Sequence, residues 1–511
     1  MGGTRTSADS LMKSLAAGWT ATQYSSAQGF VASWQASLST TAKIEQVAEN
    51  SLRFVTDLSS FHLRGLDSVP CLLVGGSDAN TATAARTFYA QTGAPGGVPF
   101  ILALSDAFYQ QLRQDLPSAF CLVLSPGQIK ELLESGSARQ MLRAFLMEQI
   151  PKRHLIPYTI LQPVEGAMFF GRRNELARLR DQPGVSFAIA GPSRLGKSSL
   201  LRQYRREAIR SADPRVARMF YISFYDCSER TMYGMARFLA MRIAPSRLSN
   251  RLAEEDLVSF LHYQSSRLGG PLELLLDEVD EVCQSEAFRS LGTAARRGFC
   301  RLVLCGRGVL LRMILASQSP LNCRLELVRL EPLDPDSARG LLVEPLVELG
   351  FAIREPECFI EQVFRLTGRL PHLLQFYGNR LANLAIDQNS DTISLKQVET
   401  LAADFQTAQY FTNPLSDLGS ADARLVALSL LEFHDRDLSV PFVQGIAEGE
   451  GLRLDHARTL DICNELVINN VLVWSDNSYR IASEALYSYA RDLGFLASGL
   501  REARKAAGVK P

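Results

Sequence analysis

The sequence has no excess of charge of either sign, no long apolar run and no paired-cysteine motif. Its 511 residues include 54 basic and 54 acidic side chains, which argues against a chain that coats nucleic acid or an anionic membrane along its whole length. No apolar run approaches the roughly 18 residues that a membrane-spanning helix needs, and the N-terminus lacks the apolar segment of a signal peptide. These absences predict a cytoplasmic protein with no membrane partner.

The nine cysteines are odd in number and include no CxxC pair. Several lie inside apolar runs such as "FCLVLS" and "LVLCG", where a buried and reduced thiol is the usual form. A disulfide framework or a structural zinc site is therefore not expected.

One short stretch, "GPSRLGKS" at residues 191–198, fits the phosphate-binding pattern G-x-x-x-x-G-K-[ST]. It lies between a predicted buried strand, "VSFAIA", and a predicted amphipathic helix, "SSLLRQYRREAI". Glycines let backbone N–H groups point at phosphate oxygens, and the helix N-terminus adds partial positive charge. Lys197 can reach the β- and γ-phosphates, and the Ser198 hydroxyl can hold Mg²⁺. The residues expected to bind nucleotide from this loop are Gly191, Pro192, Ser193, Arg194, Leu195, Gly196, Lys197, Ser198 and Ser199.

A second motif, "PLELLLDEVDEV" at residues 271–282, supplies the acidic groups that such a loop requires. Its run of leucines is typical of a strand buried on both faces, and Asp277 falls where that strand ends. We expect Asp277 to hold Mg²⁺, directly or through water, and Glu278 to act as the general base that activates water. The next predicted strand, "CRLVLCGRG", ends in Arg307, which can contact the γ-phosphate. The expected catalytic residues are Glu278, Lys197 and Arg307.

Five motifs in order, "MFFGRRNEL", "GPSRLGKSSLL", "LLLDEVDEV", "CGR" and "TGRLPHLLQ", resemble the STAND class of AAA-type P-loop ATPases, with the bacterial and archaeal AAA-like proteins nearest. The resemblance covers about residues 165–400. It implies an α/β fold, with a P-loop parallel sheet and a helical lid, that uses ATP and Mg²⁺. It also implies that Gly171 and Arg172 lie near the adenine and ribose, that Pro371 presses on the base, and that Arg307 corresponds to an arginine of the family.

The lid motif departs from the family's usual G-x-P. Here the run is "GRLP", from Gly368 to Pro371, and Arg369 stands where a glycine often stands. Two alternatives are open for Arg369: it faces the phosphates as a second sensor, or it faces water. A helical lid can close on ATP and open on ADP, and in this class that movement is commonly the output.

The remaining segments complete a five-part organisation. Three apolar runs that begin at Pro70, Pro99 and Phe120 alternate with helix-like stretches, which indicates a smaller N-terminal α/β domain with a parallel sheet. Helical spacing from Thr41 to Leu66 predicts a mostly helical segment before it. The predicted parts are a helical lead-in (1–66), the small α/β domain (67–150), the P-loop ATPase core (165–330), the helical lid (331–402) and a winged-helix-like domain (405–495).

The last part reads as three helices followed by a hairpin, an order typical of winged-helix domains, which often bind DNA. Residues 421–490 contain eleven acidic residues and five arginines, whereas DNA affinity rests largely on neutralising phosphates. The candidate reading helix carries Asp455, Asp461 and Glu465 against Arg458. An acidic domain of this kind is better explained by protein docking or autoinhibition, so nucleic acid is a disfavoured partner.

A basic stripe follows the phosphate loop, where Arg202, Arg206 and Arg210 recur at helical spacing. It can contact nucleic acid or an acidic partner, although a hydrated helix face is the commoner explanation for such a pattern.

Three functions are consistent with these residues. The favoured one is a regulatory ATPase switch, in which slow hydrolysis drives shape change or homo-oligomerisation coupled to an N-terminal sensor or effector domain. An unidentified protein partner and a setting in bacterial signalling or defence are implied by the class alone. The alternative is a DNA-handling ATPase, like origin initiators or transposition ATPases. A non-enzymatic nucleotide-binding scaffold is disfavoured by intact Lys197, Asp277 and Glu278.

Overall fold

A computed structural model describes residues 23–48, 51–75, 79–92, 97–115, 121–160, 162–191, 194–245, 257–283, 285–315, 321, 325–404, 407, 410–411, 414–415, 418–475, 478–492 and 495–509. Two five-stranded sheets and two two-stranded ribbons organise these residues. None of the helices in these ranges is long and apolar enough to cross a membrane.

The N-terminal domain is built on the first sheet. Its elements are α1 (Gln23–Leu38), β1 (Thr41–Ala48), β2 (Ser51–Asp57), β3 (Val69–Val74), α2 (Ala79–Thr92), β4 (Phe100–Ala103), α3 (Asp106–Asp115), β5 (Leu122–Leu124), α4 (Pro126–Glu134), α5 (Ala138–Gln149) and α6 (Lys152–Leu155). The strands follow one another in the order β1-β2-β3-β4-β5. The first three are antiparallel, and β3, β4 and β5 run parallel.

The prediction of a helical lead-in is wrong for residues 41–48 and 51–57, which form β1 and β2. Along β2, Leu52, Phe54 and Thr56 are buried while the residues between them are half-buried, which is the period of two of a strand. Phe54 packs against Phe30 and Trp34 of α1, with ring centroids 6.2 and 5.9 Å apart. Helix α1 therefore covers one face of the sheet.

The core domain is built on the second sheet. Its elements are α7 (Arg173–Asp181), β6 (Ser186–Ala190), α8 (Lys197–Arg210), β7 (Met219–Ser223), α9 (Met232–Ile243), α10 (Leu257–Arg267), β8 (Leu272–Asp277), α11 (Glu286–Arg296), β9 (Cys300–Gly306), α12 (Gly308–Leu315) and β10 (Leu325–Arg329). All strands are parallel, in the order β10-β6-β9-β8-β7. The carboxyl ends of parallel strands share one edge, where ligands bind in open α/β sheets.

The lid and the C-terminal domain are mostly helical. The lid elements are α13 (Pro335–Glu348), β11 (Ala352–Ile353), α14 (Pro356–Thr367), α15 (Pro371–Asp387), β12 (Thr392–Ile393) and α16 (Leu395–Ala402). The C-terminal elements are α17 (Ala421–Leu430), α18 (Val440–Gly449), α19 (His456–Ile468), β13 (Leu472–Ser475), β14 (Ser478–Ile481), α20 (Glu484–Asp492) and α21 (Phe495–Ala506). Three helices thus precede an antiparallel hairpin. The winged-helix interpretation stays a prediction, because element order does not specify how the helices cross.

The N-terminal domain contacts the lid through ion pairs. Arg139 of α5 pairs with Glu348 of α13 at 2.7 Å, and Lys152 of α6 pairs with Asp391 at 2.6 Å. These pairs join elements more than 200 residues apart in the chain, so the lid and the N-terminal domain pack as neighbours.

The same domain contacts the core through the basic stripe. Arg206 of α8 pairs with Asp67 at 3.5 Å, and Arg210 pairs with Asp57 at the end of β2. The third member, Arg202, borders the candidate site described below. Two arginines of the stripe therefore join domains and are not simply a hydrated helix face.

A buried ion pair holds the centre of the core sheet. Glu273 of β8 and Arg301 of β9 are register partners, and their side chains are 5% and 6% exposed. The Tyr204 hydroxyl donates to Glu273 Oε1 at 2.7 Å, and Arg301 donates to the carbonyl oxygens of Val185 and Leu179 at 2.7 and 2.6 Å. These bonds compensate for the desolvation of both charges and join α7, α8, β8 and β9.

We expect Arg301→Met to lower the free energy of unfolding by about 3–5 kcal/mol, because Glu273 would keep a buried charge without its cation. The urea midpoint, followed by far-ultraviolet circular dichroism, measures this loss. Arg339→Met is the matched control: its exposed pair with Glu357 contributes only about 0–1 kcal/mol. Adding Glu273→Leu to Arg301→Met should recover most of the stability. Equal midpoints for the two single variants would contradict the prediction.

Candidate functional site

A cavity of about 610 Å³ lies between the carboxyl edge of the core sheet and the lid. Its walls come from the connector at 159–170, the loop after β6, the ends of β7 and β8, and the lid helices α13 and α15. The predicted site residues that line it are Arg172, Arg194, Leu195, Gly196, Lys197, Ser198, Ser199, Asp277, Glu278 and Pro371. Residues from motifs up to 199 positions apart thus meet around one cavity.

The phosphate loop turns through left-handed backbone before α8 begins. Arg194 has φ 62° and Gly196 has φ 91°, a region that glycine occupies without strain. Gly196 is the N-cap of α8, whose first residue is Lys197, so free N–H groups of the first turn face the cavity. Pro192 and Ser193, two of the predicted binding residues, lie outside the described residues.

Lys197 is buried beneath the loop. Its Nζ donates to the Gly191 carbonyl oxygen at 3.0 Å, which places Gly191 at the site as a support for the lysine and not as a lining residue. Burial lowers the pKa of Lys197, while Glu278 and Asp280 nearby act to raise it. The ammonium group therefore lies in a poorly hydrated position, where it can bind an anion.

The two serines after Lys197 have different surroundings. Ser198 lines the cavity. The Ser199 Oγ also borders it, but accepts a hydrogen bond from the Val164 N–H at 3.0 Å. Ser199 therefore fastens the connector to α8, a role that the loop motif alone does not reveal.

Asp277 is the last residue of β8, and a hydrogen bond to each of its carboxylate oxygens fixes the orientation of the side chain. Its Oδ2 accepts from the Tyr221 hydroxyl at 2.7 Å, and its Oδ1 accepts from the Glu278 N–H at 3.0 Å. Burial and the nearby Asp277 charge raise the pKa of Tyr221, so the phenol stays a donor. Sequence reasoning missed Tyr221, because no local pattern links it to a residue 56 positions later.

The residues fit a Mg²⁺ ion that is shared with a phosphate. Ser198 and Asp277 offer the oxygen ligands that Mg²⁺ prefers, and it commonly keeps one or two protein ligands with substrate phosphates and water. No group of three His, Cys, Asp or Glu side chains in the described part of the chain could hold a metal alone. A cation here would therefore depend on phosphate oxygens as well.

Glu278 turns away from Asp277 through a left-handed backbone with φ 53°. Its Oε2 lies 3.4 Å from Nη2 of Arg307. Arg307 does not line the first cavity. It lines a second one of about 710 Å³, which Glu278 also borders. The predicted base therefore stands between the two cavities, in an ion pair with the predicted cation.

Asp280 fixes the end of β9, and sequence reasoning missed it. Its carboxylate accepts from the backbone N–H groups of Arg307, Val309 and Leu310. The acidic motif "DEVDEV" contained the signal, since Asp280 is the next aspartate after Asp277. Its role is to hold the turn that carries Arg307.

The residues of the FGR motif hold the elements around the site together. Gly171 has φ 74°, and a Cβ there would lie 2.8 Å from the Ser337 Oγ, so it serves close packing on α13 and does not line the cavity. Arg172 does line it, but its guanidinium donates to the carbonyl oxygens of Leu195 and Glu331. Arg172 thus holds the phosphate loop against the lid entry.

The lid supplies Pro371 at the start of α15, where it lines the cavity. Arg369 has φ 58° and donates to the Leu333 carbonyl oxygen at 2.9 Å. Arg369 is half-buried and does not line the cavity, and its side chain bonds the backbone at the entry of the lid.

The second cavity separates the core from the C-terminal domain. Arg458, Asp461 and Glu465 of α19 line it together with Glu278 and Arg307. The predicted reading helix therefore faces the core, on the side that carries Glu278 and Arg307.

Comparison with known proteins yields a family match over most of this region. The sequence profile of the family described as novel STAND NTPase 1 matches residues 157–495. No curated protein matches the chain. Similar solved structures include a Walker-type ATPase of Pyrococcus abyssi, with 19% identity over 65% of this chain and 99% of that chain and a TM-score of 0.49. The ORC2 protein of Aeropyrum pernix has 15% identity over 65% and 94%, with a TM-score of 0.43.

We expect Tyr221→Phe to raise the Mg²⁺ concentration needed for half-maximal nucleotide binding by about 3- to 10-fold, because the carboxylate of Asp277 would lose the donor that orients it. A titration of nucleotide binding with Mg²⁺ measures the shift. Tyr225→Phe is the control, since Tyr225 lines the same cavity but is 87% exposed. The same Mg²⁺ dependence in both variants would refute the orienting role.

Proposed function

The chain belongs to the novel STAND NTPase 1 family, and on this premise we propose that it is a regulatory ATPase switch. The family match confirms the resemblance to STAND-type P-loop ATPases. The observation that carries the proposal is the meeting of Lys197, Ser198, Asp277 and Glu278 around one cavity. Together they supply the phosphate cation, two oxygen ligands for Mg²⁺ and a carboxylate for proton transfer.

In the proposed ATP complex, the N–H groups of the loop and of the first turn of α8 bind the phosphates. The Lys197 ammonium exchanges the Gly191 carbonyl oxygen for β- and γ-phosphate oxygens, which are stronger partners because they are charged. Ser198 and Asp277 would hold Mg²⁺, which neutralises phosphate charge when bound. The adenine base of ATP lies at the opposite end of the cavity, against the connector and Pro371.

In the proposed hydrolysis, the Glu278 carboxylate accepts a proton from a water molecule as the water oxygen attacks the γ-phosphorus. The bond between that phosphorus and the β–γ bridging oxygen breaks, and ADP leaves with the bridging oxygen. Glu278 is paired with Arg307 at 3.4 Å. This pair must open before Arg307 can contact the γ-phosphate, which supports slow turnover.

The switch proposal is supported by how the other domains border the site. The N-terminal domain pairs with the lid through Arg139 and Lys152 and with α8 through Asp57 and Asp67. The C-terminal helix α19 faces Arg307 across the second cavity. The lid also contacts the C-terminal domain, since Arg365 of α14 pairs with Glu484 of α20 at 3.0 Å. A lid movement driven by nucleotide would therefore act on both domains.

The proposed output is a change of assembly or of partner binding. We infer a homo-oligomer in the ATP-bound state and an unidentified protein partner, in a setting of bacterial signalling or defence. These parts follow from the class of protein alone, with the N-terminal domain as the sensor or effector.

Glu278→Gln should lower ATP turnover by about 100-fold or more while ATP still binds, because the amide cannot accept the proton from water. Phosphate release and equilibrium ATP binding, measured on the same preparation, check both halves. Lys197→Ala should lose binding itself, which separates the two roles. The same turnover in wild type and Glu278→Gln would exclude Glu278 as the base.

We expect duplex DNA to change turnover by less than about two-fold, because the acidic C-terminal domain offers few cations for phosphates. Light scattering with and without ATP, run with and without DNA, tests assembly at the same time. ATP-dependent scattering that ignores DNA supports the switch. A several-fold stimulation by DNA, or a DNA complex trapped by Glu278→Gln, would favour the DNA-handling alternative.

A further inference from the structure

Part of the wall of the proposed nucleotide cavity is apolar. The connector and the lid together supply its apolar side chains, which are Ile160, Phe169, Phe170, Leu333, Leu341 and Pro371. A purine in such a slot buries its two faces, but its ring nitrogens then need hydrogen-bond donors from the protein.

Gln375, in the second turn of α15, is a polar side chain in the wall of this cavity. The residue is 4% exposed, and its Oε1 accepts from the Thr159 N–H at 3.1 Å. That bond fixes the amide orientation, because a flipped amide would set one donor against another. Nε2 is therefore a donor, and it has no hydrogen-bond partner among the residues that the structure describes.

A second buried glutamine of the lid shows the contrasting, fully bonded case. The Oε1 of Gln397 accepts from the Ser394 N–H at 2.9 Å. Its Nε2 donates to the Gln388 Oε1 and to the Thr392 carbonyl oxygen at 3.3 and 3.2 Å. A buried amide that serves structure alone is bonded in this way. In Gln375, by contrast, Oε1 accepts a hydrogen bond but Nε2 donates none to the described residues.

His372 lies one turn before Gln375 and also lines the cavity. Burial lowers the pKa of His372 to about 3, so the ring is neutral at physiological pH. Its Nδ1 has no hydrogen-bond partner in the described part of the chain. The start of α15 thus carries two buried polar atoms that the described protein leaves unbonded, both on residues that border the nucleotide cavity.

We propose that Gln375 is the base-reading residue of this site, and that its Nε2, which is buried in this structure, becomes accessible as the lid adjusts to nucleotide and donates to a ring nitrogen of adenine. The inference rests on the proposed function, since it takes the cavity to bind ATP. Adenine offers acceptors at N1, N3 and N7, so a single amide donor matches any of these ring positions. Because Thr159 fixes the amide and itself lines the cavity, the connector and the lid would read the base together.

The test is equilibrium binding of MgATP and of its 1-deaza, 3-deaza and 7-deaza analogues to the full chain. Each analogue replaces one ring nitrogen by C–H. We expect one of the three to bind the wild type about 5- to 20-fold more weakly than ATP, as the loss of one buried hydrogen bond predicts. Gln375→Glu keeps the acceptor for Thr159 and removes the donor. It should lose a similar factor for ATP and no longer distinguish that analogue from ATP.

Two controls separate base reading from other effects. Magnesium tripolyphosphate, which has no base, should bind the wild type and Gln375→Glu with the same affinity. Gln397→Glu, the same change at the fully bonded lid glutamine, should distinguish the analogues as the wild type does. Gln375→Met, which is uncharged, repeats the variant measurement if the glutamate disturbs folding.

The outcomes distinguish the inference from the function on which it rests. If the wild type binds all four nucleotides equally, or if both Gln375 variants still distinguish the same analogue, Gln375 does not read the base. An equal loss for ATP and tripolyphosphate would also overturn the inference. If the wild type binds no ATP at all, the proposed function fails first.

Discussion

Burial of the Lys197 ammonium is the constraint on which the candidate site depends. A buried cation needs strong acceptors, because water no longer solvates it. The Gly191 carbonyl oxygen accepts from Nζ at 3.0 Å, and the charges of Glu278 and Asp280 nearby favour the ammonium form. These groups come from the ends of β6 and β8, and only parallel strands bring such ends to one edge. A triphosphate can replace the Gly191 carbonyl oxygen with charged oxygens. The buried Lys197 ammonium group therefore favours a ligand with phosphate oxygens.

Strained backbone marks the loops that carry these groups. Arg172, Arg194, Glu278 and Arg369 all have φ between 53° and 62°, where a non-glycine residue costs roughly 1–2 kcal/mol. Hydrogen bonds compensate at several of them, as where the Arg369 carbonyl oxygen accepts from the Leu333 N–H at 3.1 Å. Such positions persist when the surrounding structure over-determines them, and they gather at functional sites. The left-handed backbone at Glu278 makes the carboxylates of Asp277 and Glu278 point in different directions, toward Tyr221 and Arg307 respectively.

The sequence predicted those parts of the site whose residues are close neighbours in the chain. Lys197 and Ser198 share one loop, and Asp277 and Glu278 share one strand end, so local motifs reveal them. Tyr221 and Gln375 act across long sequence separations, where spacing carries no signal. Asp280 lies inside the acidic motif, but its backbone partners at 307–310 are distant in the chain.

The fold was predictable to a similar extent. The parallel core sheet followed from apolar runs and motif context. β1 and β2 were missed because both strands are short and follow helix α1 closely in the chain. Glu273, a lone acid in a leucine-rich strand, was a visible sign of the buried pair with Arg301.

The apolar part of the cavity wall also contacts the N-terminal domain. The Phe170 ring lies 5.1 Å from the His62 ring, whose Nδ1 is 2.8 Å from the Ala167 carbonyl oxygen and whose Nε2 is 3.2 Å from Glu344 of the lid. A rotation of the lid would either pull the N-terminal domain away from α8 or be resisted by the contacts between that domain and α8. Each partly exposed ion pair contributes only about 0–1 kcal/mol, whereas micromolar binding releases about 8 kcal/mol. Micromolar nucleotide binding would therefore be strong enough to decide which contacts of the N-terminal domain persist.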